Sequence, residues 1–262
     1  MVMHTNTIIY KNIRASFTDT GKGSAIVLLH GFLENSTMWH AIIPDLAKKN
    51  RVITIDLLGH GKTENLGYVH TMENQAEMVK SVLDSLRLRR YILVGHSLGG
   101  YITLAFAELF PKNIKKLCLL NSTALPDSKE RKINRDRAIA MVKKNAENFV
   151  SMAIPNLFTE ESRTKFSKEI QFVKEEALKT SKQGIIASLE GMKIRKDRTF
   201  VLQNRTFKKL FILGKKDPLL HRDSLLQQAK GANITIIEFS NGHMSHIENA
   251  IELRNTLQKF IF

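Results

Sequence analysis

Cysteine is nearly absent from this 262-residue chain, which contains only Cys118. A single thiol cannot form an internal disulfide or supply a four-thiolate metal site. Cys118 lies in the apolar run 117–120, which favours a small buried side chain over a reactive thiol. No cluster of potential ligands suggests a metal, so we expect neither a metal nor a cofactor.

Long hydrophobic runs are also absent. No window approaches the roughly 20 apolar residues of a membrane-spanning helix. Residues 1–20 are polar and strand-like, and they lack the apolar core of a signal peptide. Together with the scarcity of cysteine, these absences predict a protein without a membrane span in a reducing, cytoplasmic compartment.

Acidic residues are fewer than basic ones, with 25 Asp and Glu against 40 Lys and Arg, a formal charge of +15 and a pI near 9.9. Such an excess can indicate a nucleic-acid or anionic-membrane partner. The basic residues are scattered from Lys11 to Lys259 with acids between them, and no basic block alternates with aromatics. We therefore favour a solvated basic surface and expect no nucleic-acid partner. The 43% hydrophobic content is ordinary for a folded domain.

Strand and helix patterns alternate along most of the chain. Short apolar runs typical of buried strands alternate with amphipathic helical segments, which predicts a parallel α/β sheet with helices on both faces. Two short strands, 7–10 and 13–17, and a polar turn at 18–23 come first. The predicted strands that follow are 25–29, 51–56, 91–94, 114–120, 209–213 and 234–239. The predicted helices between and after them are 36–48, 71–86, 98–110, 222–230 and 246–260.

This alternation is interrupted between residues 122 and 207. Charges become dense there, Val and Ile runs disappear, and helical periodicity appears at 135–150, 160–179 and 184–192. The pattern predicts a core made of 1–121 and 208–262, with 122–207 inserted as a helical subdomain.

A Gly-x-Ser-x-Gly segment stands at the junction between the predicted strand 91–94 and the helix that follows it. Such a turn raises a serine hydroxyl at the end of a strand, and glycines flank it because neighbouring backbone leaves no room for a Cβ. The start of a helix also favours a developing negative charge. We predict that Ser97 is a nucleophile; the alternative is an ordinary turn serine.

A serine nucleophile needs a general base within hydrogen-bond reach. His243 follows the predicted strand 234–239 and so lies at the carboxyl edge of the sheet, where active sites of parallel sheets form. His246, in the first turn of the last helix, is its competitor. His96 adjoins the serine, but side-chain alternation along the strand turns it away. A metal role for His243 and His246 would require a third ligand, which is not evident.

An acid must orient the base and stabilise its imidazolium form. Asp217 directly follows the predicted strand 209–213, and the order Ser97, Asp217, His243 is the nucleophile–acid–base order of this architecture. The end of the preceding strand offers only the uncharged Asn121, and Asp127 lies farther along. An ordinary Asp-Pro surface turn is the remaining interpretation of Asp217.

Two backbone amides are candidates for an oxyanion hole. The amide of Leu98, after the nucleophile, is one donor, and the amide of Phe32, after His30 and Gly31, is placed to be the other.

In combination, these segments resemble the landmarks of the α/β-hydrolase superfamily. They are Leu29-His30-Gly31-Phe32, Asp56-Leu57-Leu58-Gly59-His60-Gly61, Gly95-His96-Ser97-Leu98-Gly99-Gly100, Gly214-x-x-Asp217 and Gly242-His243-x-x-x-x-Glu248. The resemblance implies a mostly parallel eight-stranded sheet whose second strand is antiparallel, with 122–207 as a helical cap. Ser97 stands where dehalogenases and epoxide hydrolases of this fold carry aspartate, so those reactions are not expected.

The resemblance leaves the substrate open. It implies a metal-independent serine hydrolase that cleaves a small carboxylic ester, or a similar acyl compound, through an acyl-enzyme. Thioesterases, lactonases and C–C bond hydrolases use the same triad, and a ligand-sensing receptor with little turnover is an alternative of another class. A nucleic-acid or membrane-surface binder is motivated only by the charge. A monomer or homodimer is expected.

Four residues are candidates for the substrate pocket: His30, Gly31, Phe149 and Phe158. The cap aromatics have a second interpretation, in which they hold the cap helices together. The cap cations Lys143, Lys144, Arg195 and Arg198 are candidates for binding an anionic leaving group such as a coenzyme A thioester, although ordinary exposed surface cations are by far the commoner explanation.

Overall fold

The computed structural model describes residues 4–204 and 206–262. Residues 1–3, at the start of the predicted core, and Arg205, in the predicted cap, lie outside the described residues. Eight strands form one sheet in the order β1-β2-β4-β3-β5-β6-β7-β8. Their bounds are Thr5–Tyr10 (β1), Ile13–Gly21 (β2), Ser24–Leu29 (β3), Asn50–Ile55 (β4), Tyr91–His96 (β5), Ile114–Leu120 (β6), Lys208–Gly214 (β7) and Thr235–Phe239 (β8).

The sheet has the predicted direction of its strands. β2 runs antiparallel to both of its neighbours, β1 and β4, and every later pair is parallel. The carboxyl ends of β3, β5, β6, β7 and β8 therefore meet at one edge. The prediction of a mostly parallel sheet with an antiparallel second strand is confirmed.

Helices cover both faces of the sheet. The α-helices are Ile43–Leu46 (α1), Met72–Ser85 (α2), Leu98–Leu109 (α3), Lys129–Lys144 (α4), Ala146–Ala153 (α5), Glu160–Lys165 (α6), Ser167–Leu178 (α7), Lys182–Lys193 (α8), Thr199–Asn204 (α9), Arg222–Ala229 (α10), Ser245–Glu248 (α11) and Ala250–Ile261 (α12). Alternate residues of a strand point to opposite faces, so Val27 packs in the hydrophobic cluster with α2 and α3, while Ile26 packs with α1 and α12. Both faces are buried, which explains the continuous apolar runs of the central strands.

Two predictions near the N-terminus were wrong. The helix predicted over 36–48 is a 3-10 turn, Ser36–Trp39, followed by α1, because Pro44 lacks the amide and the space that a continuous helix requires. The turn predicted at 18–23 is largely strand, since β2 continues to Gly21 and pairs with β4. Thr18 and Thr54 share a 2.7 Å hydrogen bond between hydroxyls in this pairing.

The inserted helices α4 to α9 lie between β6 and β7, as expected. Two of the predicted helices are broken. The segment 135–150 divides into α4 and α5 at Asn145, whose side chain caps α5 by accepting a hydrogen bond from the Asn148 amide at 2.9 Å. The segment 160–179 divides into α6 and α7 at Phe166.

Helix α8 lies directly against a loop of the core. A Cβ at Gly184 would stand 2.3 Å from the Gly59 carbonyl oxygen, and one at Gly191 would stand 1.8 Å from the carbonyl oxygen of His70. The His70 amide donates to the Ala187 carbonyl at 2.9 Å. The small residues on this face of α8 therefore permit backbone-to-backbone contact between the insertion and the core.

Candidate active site

Ser97 occupies a tight turn between β5 and α3. Its φ of 49° and ψ of −111° lie in a sparsely populated backbone region, which costs a residue with a Cβ about 1–3 kcal/mol. A Cβ at Gly95 would stand 2.3 Å from the Gly99 carbonyl oxygen, and one at Gly99 would stand 2.4 Å from the carbonyl oxygen of Leu29. Both glycines of the motif are thus required by close backbone approach.

The structure brings Ser97, His243 and Asp217 together at the carboxyl edge of the sheet. The Nε2 atom of His243 is 2.9 Å from the Ser97 hydroxyl, and its Nδ1 atom is 2.7 Å from the Asp217 Oδ2 atom. Both distances are within the range of a nucleophile–base–acid chain. Asp217 follows β7 and His243 follows β8, so the two side chains come from loops at neighbouring strand ends.

The Asp217 carboxylate is held on both of its oxygens. Oδ1 accepts hydrogen bonds from the amides of Leu219 at 2.9 Å and Leu220 at 3.1 Å, and Oδ2 accepts from His243 and from Asn121. Burial raises the pKa of this carboxyl, but the nearby His243 and the hydrogen bonds outweigh it and leave the pKa below its usual value. An ionised Asp217 requires the proton on Nδ1 of His243, which assigns the Nε2 lone pair to the serine hydroxyl.

Asn121 is a site residue that the sequence did not reveal as such. Its Nδ2 donates to Asp217 Oδ2 at 3.2 Å and to the Gly242 carbonyl at 3.1 Å, while its Oδ1 accepts from the Ser245 hydroxyl at 2.6 Å. The Asn121 amide therefore joins Asp217 to the loop that carries His243. The signal in the sequence was its position at the end of β6, at the carboxyl edge of the sheet. An uncharged side chain there did not qualify as the acid.

A second buried pair, Glu34 and His96, lies beside Ser97, His243 and Asp217. Glu34 Oε2 accepts from the Gly31 amide at 2.6 Å and from His96 Nδ1 at 2.8 Å, and His96 Nε2 is 3.0 Å from the His243 carbonyl oxygen. Both neighbours of the His96 ring are acceptors, so both ring nitrogens donate and the ring is an imidazolium.

The electrostatics of this pair agree with its geometry. Burial lowers the pKa of His96, but the charge and hydrogen bond of Glu34 outweigh that effect and raise it. Burial raises the pKa of Glu34, and the surrounding histidines lower it to about 2. The charges of the pair cancel, and its hydrogen bonds join the loop after β3, the strand that precedes Ser97 and the His243 loop. The His96 ring bonds to these groups rather than to the serine, as the strand alternation predicted.

His246, the competitor for the base, does not reach Ser97. Its Nε2 atom lies 3.8 Å from Glu34 Oε1, and its ring is 5.7 Å from that of His96. Burial lowers the pKa of His246 to about 4, so the ring is neutral.

A cavity of about 80 Å³ opens over the Ser97 hydroxyl and the His243 ring. Its wall combines the loop after β3, the insertion and the loop after β7. It is lined by Phe32, Leu33, Glu34, His96, Ser97, Tyr101, Arg131, Arg135, Ala153, Leu157, Met192, Leu219, Leu220, His243 and Met244.

None of the four predicted pocket residues lines this cavity. His30 is fully buried, and its Nε2 accepts from the Leu57 amide at 2.9 Å. The Gly31 amide donates to Glu34. Phe158 is buried in the hydrophobic core and Phe149 packs against it. These aromatics hold the cap helices together. Helical spacing alone does not distinguish a side chain that lines a cavity from one that packs between helices, which is why the sequence left both interpretations open.

The predicted oxyanion donors, Phe32 and Leu98, occupy the expected loops. Phe32 lines the cavity, and Leu98 is the first residue of α3, directly after Ser97. Within residues 4–204 and 206–262, neither amide donates to another protein group. Both are therefore free to bind an external oxygen atom.

Arg198, one of the predicted anion-binding cations, is occupied by protein groups. It is buried and pairs with Glu73 at 2.6 Å and Glu108 at 2.9 Å. Lys143 and Lys144 are exposed at the end of α4.

In the described part of the chain, no group of three or more His, Cys, Asp or Glu side chains is arranged to hold a metal ion. No helix among these residues is long and apolar enough to span a membrane.

Solved structures share this fold over almost the whole chain. A thermophilic esterase from Thermogutta terrifontis aligns with a TM-score of 0.90 and 27% identity over 98% of both chains. An enol-lactonase from Burkholderia xenovorans LB400 aligns with a TM-score of 0.91 and 21% identity over 98% of this chain and 99% of its own.

Curated relatives match shorter parts. An uncharacterized protein of Mycobacterium tuberculosis is 37% identical over 109 residues, 42% of this chain and 32% of that protein, so the match spans about a third of its length. A 2-hydroxy-6-oxo-2,4-heptadienoate hydrolase from Pseudomonas putida is 33% identical over 122 residues, 45% of this chain and 44% of that protein. A putative 2-succinyl-6-hydroxy-2,4-cyclohexadiene-1-carboxylate synthase from Bacillus subtilis is 30% identical over 200 residues, 71% of each protein.

The family model for the alpha/beta hydrolase fold matches residues 24–250. The sheet order and the insertion between β6 and β7 agree with this match. The chain therefore belongs to the α/β-hydrolase family.

Proposed function

We propose that this protein is a serine hydrolase that cleaves a small carboxylic ester through an acyl-enzyme on Ser97. The observation that carries the proposal is the unbroken hydrogen-bond chain from Ser97 through His243 to Asp217, which opens onto a cavity. A surface serine without a base would not be a useful nucleophile at neutral pH.

The geometry supports a complete reaction cycle. His243 Nε2 takes the Ser97 proton as the hydroxyl attacks the ester carbonyl, and the Asp217 carboxylate stabilises the resulting imidazolium. The amides of Phe32 and Leu98 donate to the oxyanion, and one such donor is typically worth about 10²–10³ in kcat. His243 then protonates the leaving alcohol, and a water molecule activated by the same ring hydrolyses the acyl-enzyme. No step requires a metal or a cofactor.

The relatives support an acyl or related substrate. The Thermogutta terrifontis protein is an esterase. The names of the two relatives from Pseudomonas putida and Bacillus subtilis specify compounds that carry a carboxylate. Thioester, lactone or C–C bond cleavage by the same triad is the alternative within this chemistry.

The test is labelling with a fluorophosphonate serine probe, read by intact mass, together with hydrolysis of 4-nitrophenyl esters of increasing acyl length. We expect stoichiometric labelling and turnover in the wild type and neither in Ser97→Ala. Ser188→Ala is the matched control, because Ser188 is a buried serine of α8 away from the cavity. Labelling without turnover of any ester would favour the ligand-sensing alternative, and no labelling would refute an activated serine.

A further inference from the structure

Three arginines surround one buried carboxylate at the edge of the catalytic cavity. Asp127, in the loop after β6, has no exposed side-chain surface. It accepts hydrogen bonds from Arg135, whose Nη2 is 3.3 Å away, and from Arg195 Nη1 at 2.5 Å, while Arg131 Nε lies at 3.5 Å. Burial raises the pKa of Asp127, but the arginines outweigh it and keep the carboxyl ionised. Three guanidinium groups and one carboxylate leave this cluster with two uncompensated positive charges.

The arginines of the cluster have different surroundings. Arg195 is closed off, since its guanidinium stacks over the Tyr101 ring at 4.1 Å and donates to the Leu125 and Met192 carbonyls. Arg131 and Arg135 stand one helical turn apart on α4, and both line the cavity that contains the Ser97 hydroxyl. Arg131 is only partly buried, at 37% exposure, and its Nη1 donates to the Leu219 carbonyl at 2.8 Å.

No acid on the cavity wall offsets these two arginines. Glu34 is the one carboxylate that lines the cavity among the described residues, and its charge is already balanced by His96. The part of the cavity wall that Arg131 and Arg135 form is therefore positive, in a small site where water screens charge weakly. A neutral ester would leave that charge uncompensated.

We propose that Arg131 and Arg135 bind a free carboxylate of the substrate, so that the preferred substrates are monoesters or acyl compounds of dicarboxylic acids. This inference rests on the proposed hydrolase function and adds its substrate class. A guanidinium carries five N–H donors, so each of the two arginines can donate to a carboxylate oxygen in addition to its contacts with Asp127 and, for Arg131, with the Leu219 carbonyl. Asp127 and Arg195 serve as the support that holds the two arginines in place. A carboxylate bound there would also fix the position of the ester carbonyl relative to Ser97.

The test compares monomethyl succinate with methyl succinamate, its uncharged amide analogue of the same shape, by methanol release. We expect kcat/KM to favour the anionic ester by about tenfold to a hundredfold, the usual worth of a hydrogen-bonded charge. The ratio of the two kcat/KM values should fall toward one in Arg131→Gln. Arg137→Gln is the matched control, because Arg137 is an exposed cation of the same helix outside the cavity, and it should keep the wild-type ratio.

A binding measurement separates this inference from the proposed function. Calorimetric titration of the Ser97→Ala protein with the same two esters reports affinity without turnover. Tighter binding of monomethyl succinate, lost on addition of Arg131→Gln, supports the carboxylate site even where neither ester is hydrolysed. Equal affinities and equal kcat/KM values would overturn the inference, while Ser97-dependent hydrolysis of neutral esters would leave the hydrolase proposal intact.

Discussion

Replacement of Asp217 by Asn is the most direct test of the proton path. The amides of Leu219 and Leu220 both donate to Oδ1, so they hold the Asn carbonyl oxygen on that side and place the new NH2 group where Oδ2 stood. That group then donates to His243 Nδ1, which forces the imidazole proton onto Nε2, the atom that must accept the serine proton. We expect kcat to fall by about 10⁴, as in the serine triad template, which corresponds to about 5.5 kcal/mol of transition-state stabilisation.

A second consequence distinguishes this mechanism from simple loss of charge. The new NH2 group also faces the Asn121 amide, which is a donor as well, and an unmet buried hydrogen bond costs about 1–3 kcal/mol of stability. The assays are steady-state hydrolysis of 4-nitrophenyl acetate, the rate of fluorophosphonate labelling and a thermal melt. Asp223→Asn, on the exposed surface of α10, is the matched control and should retain wild-type values. Activity of Asp217→Asn within tenfold of the wild type would show that the acid lies elsewhere.

The remaining predictions concern the histidines. His246→Ala should keep most of the wild-type kcat/KM, because the ring does not reach the nucleophile; a loss as large as that of a general-base variant would contradict this. Glu34→Gln removes the counter-ion of His96, so ¹⁵N NMR should show His96 as an imidazolium at pH 8 in the wild type and as a neutral ring in the variant, with a lower kcat; a neutral His96 in the wild type would refute the ion pair. Acid should destabilise the fold as pH falls from about 6.5 towards 4, because buried histidines with lowered pKa values bind fewer protons in the folded state than in the unfolded state. Each such ring lowers the unfolding free energy by up to about 1.4 kcal/mol per pH unit. Urea unfolding at pH 7, 6 and 5 measures this, and a constant unfolding free energy would contradict it; the rings are those of His60 (pKa about 3), His70 and His246 (both about 4).

The sequence was sufficient to predict that Ser97, Asp217 and His243 lie close together, because parallel strands align their carboxyl ends. Each of the three lies within four residues of the end of its strand, so the sheet itself converts chain order into proximity. The contacts of Asn121 and Glu34 were not predictable, because each side chain bonds to partners far away in the sequence. Asn121 and Asp217, for example, are 96 residues apart. An asparagine or glutamate without a motif carries no local sign of such a partner.

The insertion was the least predictable part. Apolar periodicity identified its helices, but it did not show where they break or whether their aromatic side chains line the cavity. Asn145 and Phe166 interrupt segments that look continuous, because a cap and a turn depend on how the pieces pack. The roles of the α4 arginines were not predictable for the same reason. In the sequence Arg131, Arg135 and Arg137 are three charges among many, and only the contact with Asp127 distinguishes the first two.

The backbone contact between α8 and the core has a consequence for redesign. Because Gly184 and Gly191 hold the helix against the core without intervening side chains, the cavity wall that α8 contributes, Met192, is fixed in place. A smaller side chain at this position leaves a gap that the helix cannot move to fill, so the cavity available to the substrate becomes larger by the removed volume. For a library intended to widen acyl selectivity, Met192 is accordingly the position at which side-chain size translates most directly into substrate size, whereas larger residues at the two glycines would displace the helix and unfold the site.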